Sequence, residues 1–163
     1  YYLVLAVLRL SLILNYRHKS KTVELRCYRR TAWLIFLLNI PMGGMITLMV
    51  LTNSGYSYPG YVIYLSAMYT FYTMVTSVIN LVRFRRLGSP ILSAAKVLNF
   101  IAALMSILGL QTAMIAQFSV ESDSFRKTMN AITGGVIWLC VILTAVYMLR
   151  RSRKMQSEVK PVE

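Results

Sequence analysis

Acid is what this sequence has least of: five Asp and Glu stand against eighteen Lys and Arg in 163 residues. None of the five falls inside a long apolar run, which argues against a proton or sodium pump built on buried carboxylates. Histidine is nearly absent. The single one, His18, lies among basic residues with no ligand partner at a useful spacing. The two cysteines, Cys27 and Cys140, have neither CxxC nor metal-ligand spacing. One sits in a basic stretch and the other deep in an apolar block, so no disulfide between them is expected. No nucleophile stands near a base, and no pair of acids is set to share a proton. These absences predict a chain that is not an enzyme, with no catalytic residue, no cofactor and no metal. Internal repeats, low-complexity tracts and long linkers are missing too, which leaves a single domain over residues 1–163.

What is abundant is apolar surface. Hydrophobic residues make up 57% of the chain and charged ones 14%, far from the balance of an ordinary globular domain. They fall into five blocks, at about 1–14, 31–52, 61–82, 91–118 and 128–149. A helix rises 1.5 Å per residue, so roughly 20 residues cross a hydrocarbon core of ~30 Å. The last four blocks are long enough. The first, interrupted by Arg9, covers only roughly 21 Å at that rise and crosses only if residues before Tyr1 extend it. It lacks the basic start and cleavage site of a signal peptide, and its opening inside an apolar run suggests that an upstream portion is missing. The predicted fold is all-α: a polytopic transmembrane helix bundle of four full spans and one truncated N-terminal span, with a basic tail over 150–163.

The positions of the cations predict orientation. A net charge of +13 would point to nucleic acid if it formed one patch on a soluble fold. Instead, fourteen of the eighteen Lys and Arg fall in three connectors: residues 15–30, 83–90 and the tail from Arg150. The connector at 53–60 carries no charge, and that at 119–127 balances Glu121 and Asp123 with Arg126 and Lys127. Connectors thus alternate basic, neutral, basic, balanced, basic. Cytoplasmic loops accumulate Lys and Arg, so the basic three are read as inside, with a cytoplasmic C terminus in a multi-pass plasma-membrane protein. Such a rim attracts anionic lipid headgroups by roughly 1 kcal/mol per residue near the surface. The expected partners are the lipid bilayer and those headgroups, with an acidic protein or an oligomer as the sharper alternative and nucleic acid excluded. Tyr56, Tyr58, Tyr61 and Tyr64 mark the opposite edge, where a phenol keeps its ring in lipid and its hydroxyl among headgroups. Tyr58-Pro59-Gly60 reads as a tight turn, and Ser89-Pro90 as a helix start.

Two blocks carry seams suited to packing in lipid, where close approach and polar contacts hold helices together. In the third, Ser66, Thr70, Thr73, Ser77 and Asn80 recur at alternating spacings of four and three. In the fourth, Ala95, Asn99, Ala102, Ser106, Gly109, Ala113 and Ala116 do the same. The plain reading is packing of these seams against each other or their neighbours; a path for a polar solute is the alternative. Pro41 with Gly43 and Gly44 is a candidate hinge in the second block, either a tolerated kink or a broken-helix site. Ala131, Gly134 and Gly135 give the fifth block a close-packing surface. The amides of Asn39, Gln111, Gln117 and Asn130 are expected to bond across to neighbouring helices. Arg9 and Lys96, the only charges within apolar blocks, are expected to snorkel to the inner headgroups.

Asn80-Leu81-Val82-Arg83-Phe84-Arg85-Arg86, then Ser89-Pro90-Ile91-Leu92-Ser93-Ala94-Ala95-Lys96, looks like a pattern in uncharacterised bacterial multi-span membrane proteins. Phe125-Arg126-Lys127-Thr128-Met129 and the glycine-containing block after it are similar. The resemblance covers roughly residues 61–151, implies a bacterial inner-membrane protein, and transfers no functional residues. The function expected is that of a non-enzymatic membrane domain, either sensing, anchoring or a partner subunit. The alternative is a small transporter or channel for a neutral or anionic solute.

Overall fold

A computed structural model of the chain describes residues 2–15, 21–52, 59–84, 89–118 and 123–159. It is an all-helical bundle of five helices: α1 (Tyr2–Asn15), α2 (Lys21–Thr52), α3 (Gly60–Phe84), α4 (Pro90–Phe118) and α5 (Asp123–Val159). Of these, α2 to α5 are long and apolar enough to cross a membrane, whereas α1 is a shorter apolar helix. The chain is a polytopic transmembrane helix bundle.

The bundle is built around α4, which packs against all four other helices, while α2 and α5 form the other long seam. The reason is visible in its residues. Thirteen of its side chains are buried, among them Ala94, Ala95 and Ala103 beside Leu98, Ile101 and Leu108. Small side chains on several faces let neighbours approach from several sides.

Elsewhere the usual inside–outside rule is inverted. On α3, Leu65, Met68, Phe71, Tyr72, Ile79 and Val82 are exposed, whereas Thr70 and Ser77 are buried. A contiguous apolar face of this size is a liability in water. In hydrocarbon it is the favourable exterior, and the hydroxyls gain by turning inward to find partners.

Helix boundaries depart from the apolar blocks at the basic end. Residues 21–30 and 150–159, read as connector and tail, continue α2 and α5 by ten residues each, about 15 Å of helix. Lys, Arg, Glu, Gln, Leu and Met are good helix formers, and no Gly or Pro interrupts either stretch. The two extensions run antiparallel and touch: Arg29 Nη1 donates to Gln156 Oε1 at 3.4 Å. Leu25, Tyr28 and Ser152 are buried along them. At the opposite end α5 begins at Asp123, inside the stretch read as the fourth connector. His18, Tyr56, Tyr58, Arg85, Arg86, Glu121 and the last four residues of the tail lie outside the described residues.

Pro41 does not break α2. The helix runs unbroken through it, and its buried positions, Tyr28, Ala32, Ile35, Asn39, Met42 and Ile46, keep a spacing of three and four on both sides. Pro41 itself is on the exposed face.

Candidate functional site

Two polar regions and one glycine seam emerge from the packing. The first polar region joins three helices at mid-bundle. Asn99 on α4 donates through Nδ2 to Ser77 Oγ on α3 at 3.2 Å. Its Oδ1 accepts from Arg9 Nη1 on α1 at 3.0 Å. One amide thus uses its donor and acceptor ends on different helices, as its chemistry allows. Arg9 is an exposed residue of α1 whose guanidinium reaches across to Asn99 of α4. Helical side chains tilt toward their helix N terminus, and the N terminus of α1 lies away from the basic end. Lys96 sits on α4, whose N terminus is at the basic end, and the same tilt carries its stem that way.

The seam expected on α3 faces α4, but its members divide. Ser77 is buried and bonded to Asn99; the Thr73 hydroxyl is turned onto its own helix, donating to the Thr70 carbonyl at 3.0 Å. Asn80 is half-buried nearer the basic end. Toward the neutral end Ser66 and Thr70 line a cavity of about 490 Å³ between α1, α2, α3 and α4. Ser106 and Gly109 of α4 form the facing wall, with Met45, Met49 and Met105 completing much of the rest. The Ser106 hydroxyl donates to the Ala102 carbonyl at 3.1 Å and lies 3.2 Å from the Tyr2 hydroxyl. Sequence reasoning found four of these residues by periodicity. It missed Tyr2, whose role depends on where α1 docks.

The glycines of α2 and α5 hold the second seam. A Cβ on Gly134 would lie 2.5 Å from Ile46 Cγ2, and one on Gly43 would lie 3.0 Å from Trp138 Nε1. Gly43 therefore gives room for the indole, which donates to the Asn39 carbonyl at 3.1 Å. Gly44 and Gly135 would meet nothing within 4 Å. The Pro41–Gly44 segment is helical throughout, and Gly43 is its point of close approach to α5. No spacing rule pointed to Trp138. Two amide oxygens remain buried with no hydrogen-bond partner among the described residues, Asn39 Oδ1 and Asn130 Oδ1. Of the other amides, Gln111 donates to the Met129 carbonyl of α5 at 3.3 Å.

The second polar region lies at the basic end. A cleft of about 340 Å³ opens over α4, walled by Leu81 and Val82 of α3, Leu143, Thr144, Tyr147 and Arg151 of α5, and Tyr28 of α2. Ser93, Lys96 and Val97 of α4 form its floor. Arg151 Nη1 donates to Ser93 Oγ at 3.5 Å. Glu24 lies one turn before Tyr28 on α2; there it accepts from the Ser89 hydroxyl at 3.5 Å and is not part of the wall. Among the described residues no three His, Cys, Asp or Glu gather as a metal group, and both cysteines are free thiols. The chain matches no protein-family model, no curated protein and no solved structure.

Proposed function

We propose that the bundle is a non-enzymatic membrane module, serving as the anchoring or sensing domain, or the partner subunit, of a larger assembly. It sits in the plasma membrane with the basic end and the C terminus in the cytoplasm. The observation that carries this reading is the Asn99 bridge. The most polar part of the α3–α4 seam joins α1, α4 and α3, so its groups hold helices together at the level where a solute path would need them open. Close-approach glycines between α2 and α5 support the same reading. The helical extensions at the basic end present Arg26, Arg30, Arg153 and Lys154 as exposed cations, a surface suited to an acidic partner or headgroups.

A second reading, a small transporter or channel for a neutral or anionic solute, is favoured by the cavity of about 490 Å³ with Ser66, Thr70 and Ser106 on its walls. Reconstitution into liposomes separates the two. The module reading expects no flux of small neutral or anionic solutes above protein-free vesicles, and robust movement would sink it. If flux appears, Thr70→Leu and Ser66→Leu, which fill the cavity wall, are expected to abolish it while leaving a folded bundle.

A further inference from the structure

We propose that the cleft at the basic end is a binding site for the phosphate of an anionic phospholipid. The reading is independent of whether the bundle anchors or transports, because the cleft lies apart from the cavity at the neutral end.

Three observations converge. Two cations of opposite approach line one cleft: Lys96 from α4 and Arg151 from α5. The helices run antiparallel, and side chains tilt toward their own N termini, so Lys96 points toward the basic end and Arg151 back from it. Their heads therefore approach the same level from opposite directions. Both residues are half-buried, where an ion pair with phosphate is less screened than on the outer rim.

Hydroxyls surround the cations. Tyr28, Ser93 and Tyr147 share the lining, the Thr144 hydroxyl donates to the Cys140 carbonyl of its own helix, and no carboxylate is among the lining residues. A phosphate diester offers several acceptor oxygens and one negative charge, and charge-assisted bonds from Arg and Lys are the strong ones for it. The Ser93–Arg151 contact holds the guanidinium at the floor of the cleft.

The remaining wall is apolar and open. Leu81, Val82, Val97 and Leu143 border the cleft, and Val82 and Leu143 are each about two-thirds exposed. A soluble anion has no use for such a border. An acyl chain does, and basic pockets between transmembrane helices at the inner face are where anionic headgroups dock.

Native mass spectrometry of the detergent-purified full chain tests this, with phosphatidylglycerol and phosphatidylcholine of identical acyl chains as probes. Phosphatidylglycerol is expected to bind roughly tenfold better, and Lys96→Gln with Arg151→Gln to remove most of that difference. The pair Arg150→Gln and Arg153→Gln, which takes the same charge from exposed rim positions, is expected to leave binding nearly unchanged. Equal binding of the two lipids would overturn the proposal, as would an equal loss from the rim pair. Inorganic phosphate in large excess is expected not to displace the lipid; displacement would reassign the cleft to a soluble anion and overturn the lipid. Should the double variant not fold, Leu143→Trp at an exposed wall position takes its place. It is expected to lower phosphatidylglycerol binding, and undiminished binding would count against the cleft.

Discussion

At Gly134 a methyl group would sit 2.5 Å from Ile46 Cγ2, whereas at Gly44 it would meet nothing within 4 Å. Ile46 is β-branched and stiff at its first torsion, so it cannot swing away without moving the helix. Gly134→Ala is therefore expected to destabilise the bundle by about 1–3 kcal/mol, and Gly44→Ala to fall within about 0.5 kcal/mol of the parent. Thermal unfolding in detergent compares them. Loss of stability in Gly44→Ala equal to that in Gly134→Ala would mean that α2 and α5 do not meet along this seam. Gly43 and Trp138 form a coupled pair of the same kind. Trp138→Phe deletes the bond to the Asn39 carbonyl, a loss of about 0.6 kcal/mol if it resembles the average polar contact between membrane helices. Gly43→Ala presses on the same indole, so the two changes together should cost less than their sum by about 0.5 kcal/mol or more. Strict additivity would place the indole elsewhere. The sequence displayed the glycines but could not say which of 43 and 44 faces a neighbour, because that depends on the rotation of α2 against α5.

Among the elements, α3 and α4 show how far periodicity carries. A repeat of four and three groups Ser66, Thr70, Thr73, Ser77 and Asn80 on one face of α3, and Ser77 on that face bonds α4. It cannot say that the upper members border a cavity while Ser77 bonds Asn99, because cavity and contact differ only in the size of side chains on other helices. The helix ends show the opposite weakness. An apolar block reports where lipid is tolerated, and α2 and α5 continue past that limit into residues with high helix propensity. Pro41 costs its own helix one hydrogen bond and left a tolerated kink or a broken-helix site open; the buried face of α2 passes it without interruption. The Asn99 bridge gives a test at this scale. Asn99→Leu removes both bonds and leaves Arg9 without its amide, so it is expected to cost about 1–2 kcal/mol. Asn80→Leu, at a half-buried site outside that bridge, should cost less. If the order is reversed on chemical or thermal unfolding, α1 is not tied to α4 through Arg9.

For the whole molecule, orientation is the property to be measured. With Cys27 and Cys140 replaced by serine, a single cysteine at the exposed Ser157 is expected to react with a membrane-impermeant maleimide only in inverted vesicles. One at Tyr61, exposed at the neutral end, should react only in intact cells. Labelling of Ser157→Cys from outside would invert the topology and remove the cytoplasmic reading of the basic rim. The orientation proposed here rests on the sequence alone, because loop charge is a property of composition. The central place of α4 was not legible there, because it emerges only when small residues on several faces meet four neighbours at once. That central place also dictates an order of assembly. The ribosome delivers α1, α2 and α3 before the helix that binds them, so three helices reach the bilayer unassembled. Arg9 waits through about ninety residues of synthesis before its amide partner exists. A chain stalled short of Pro90 lacks the amide that Arg9 bonds in the finished bundle, and with it the tie from α1 to α4. Completion of α4 is thus the step at which α1, α2 and α3 gain their common neighbour.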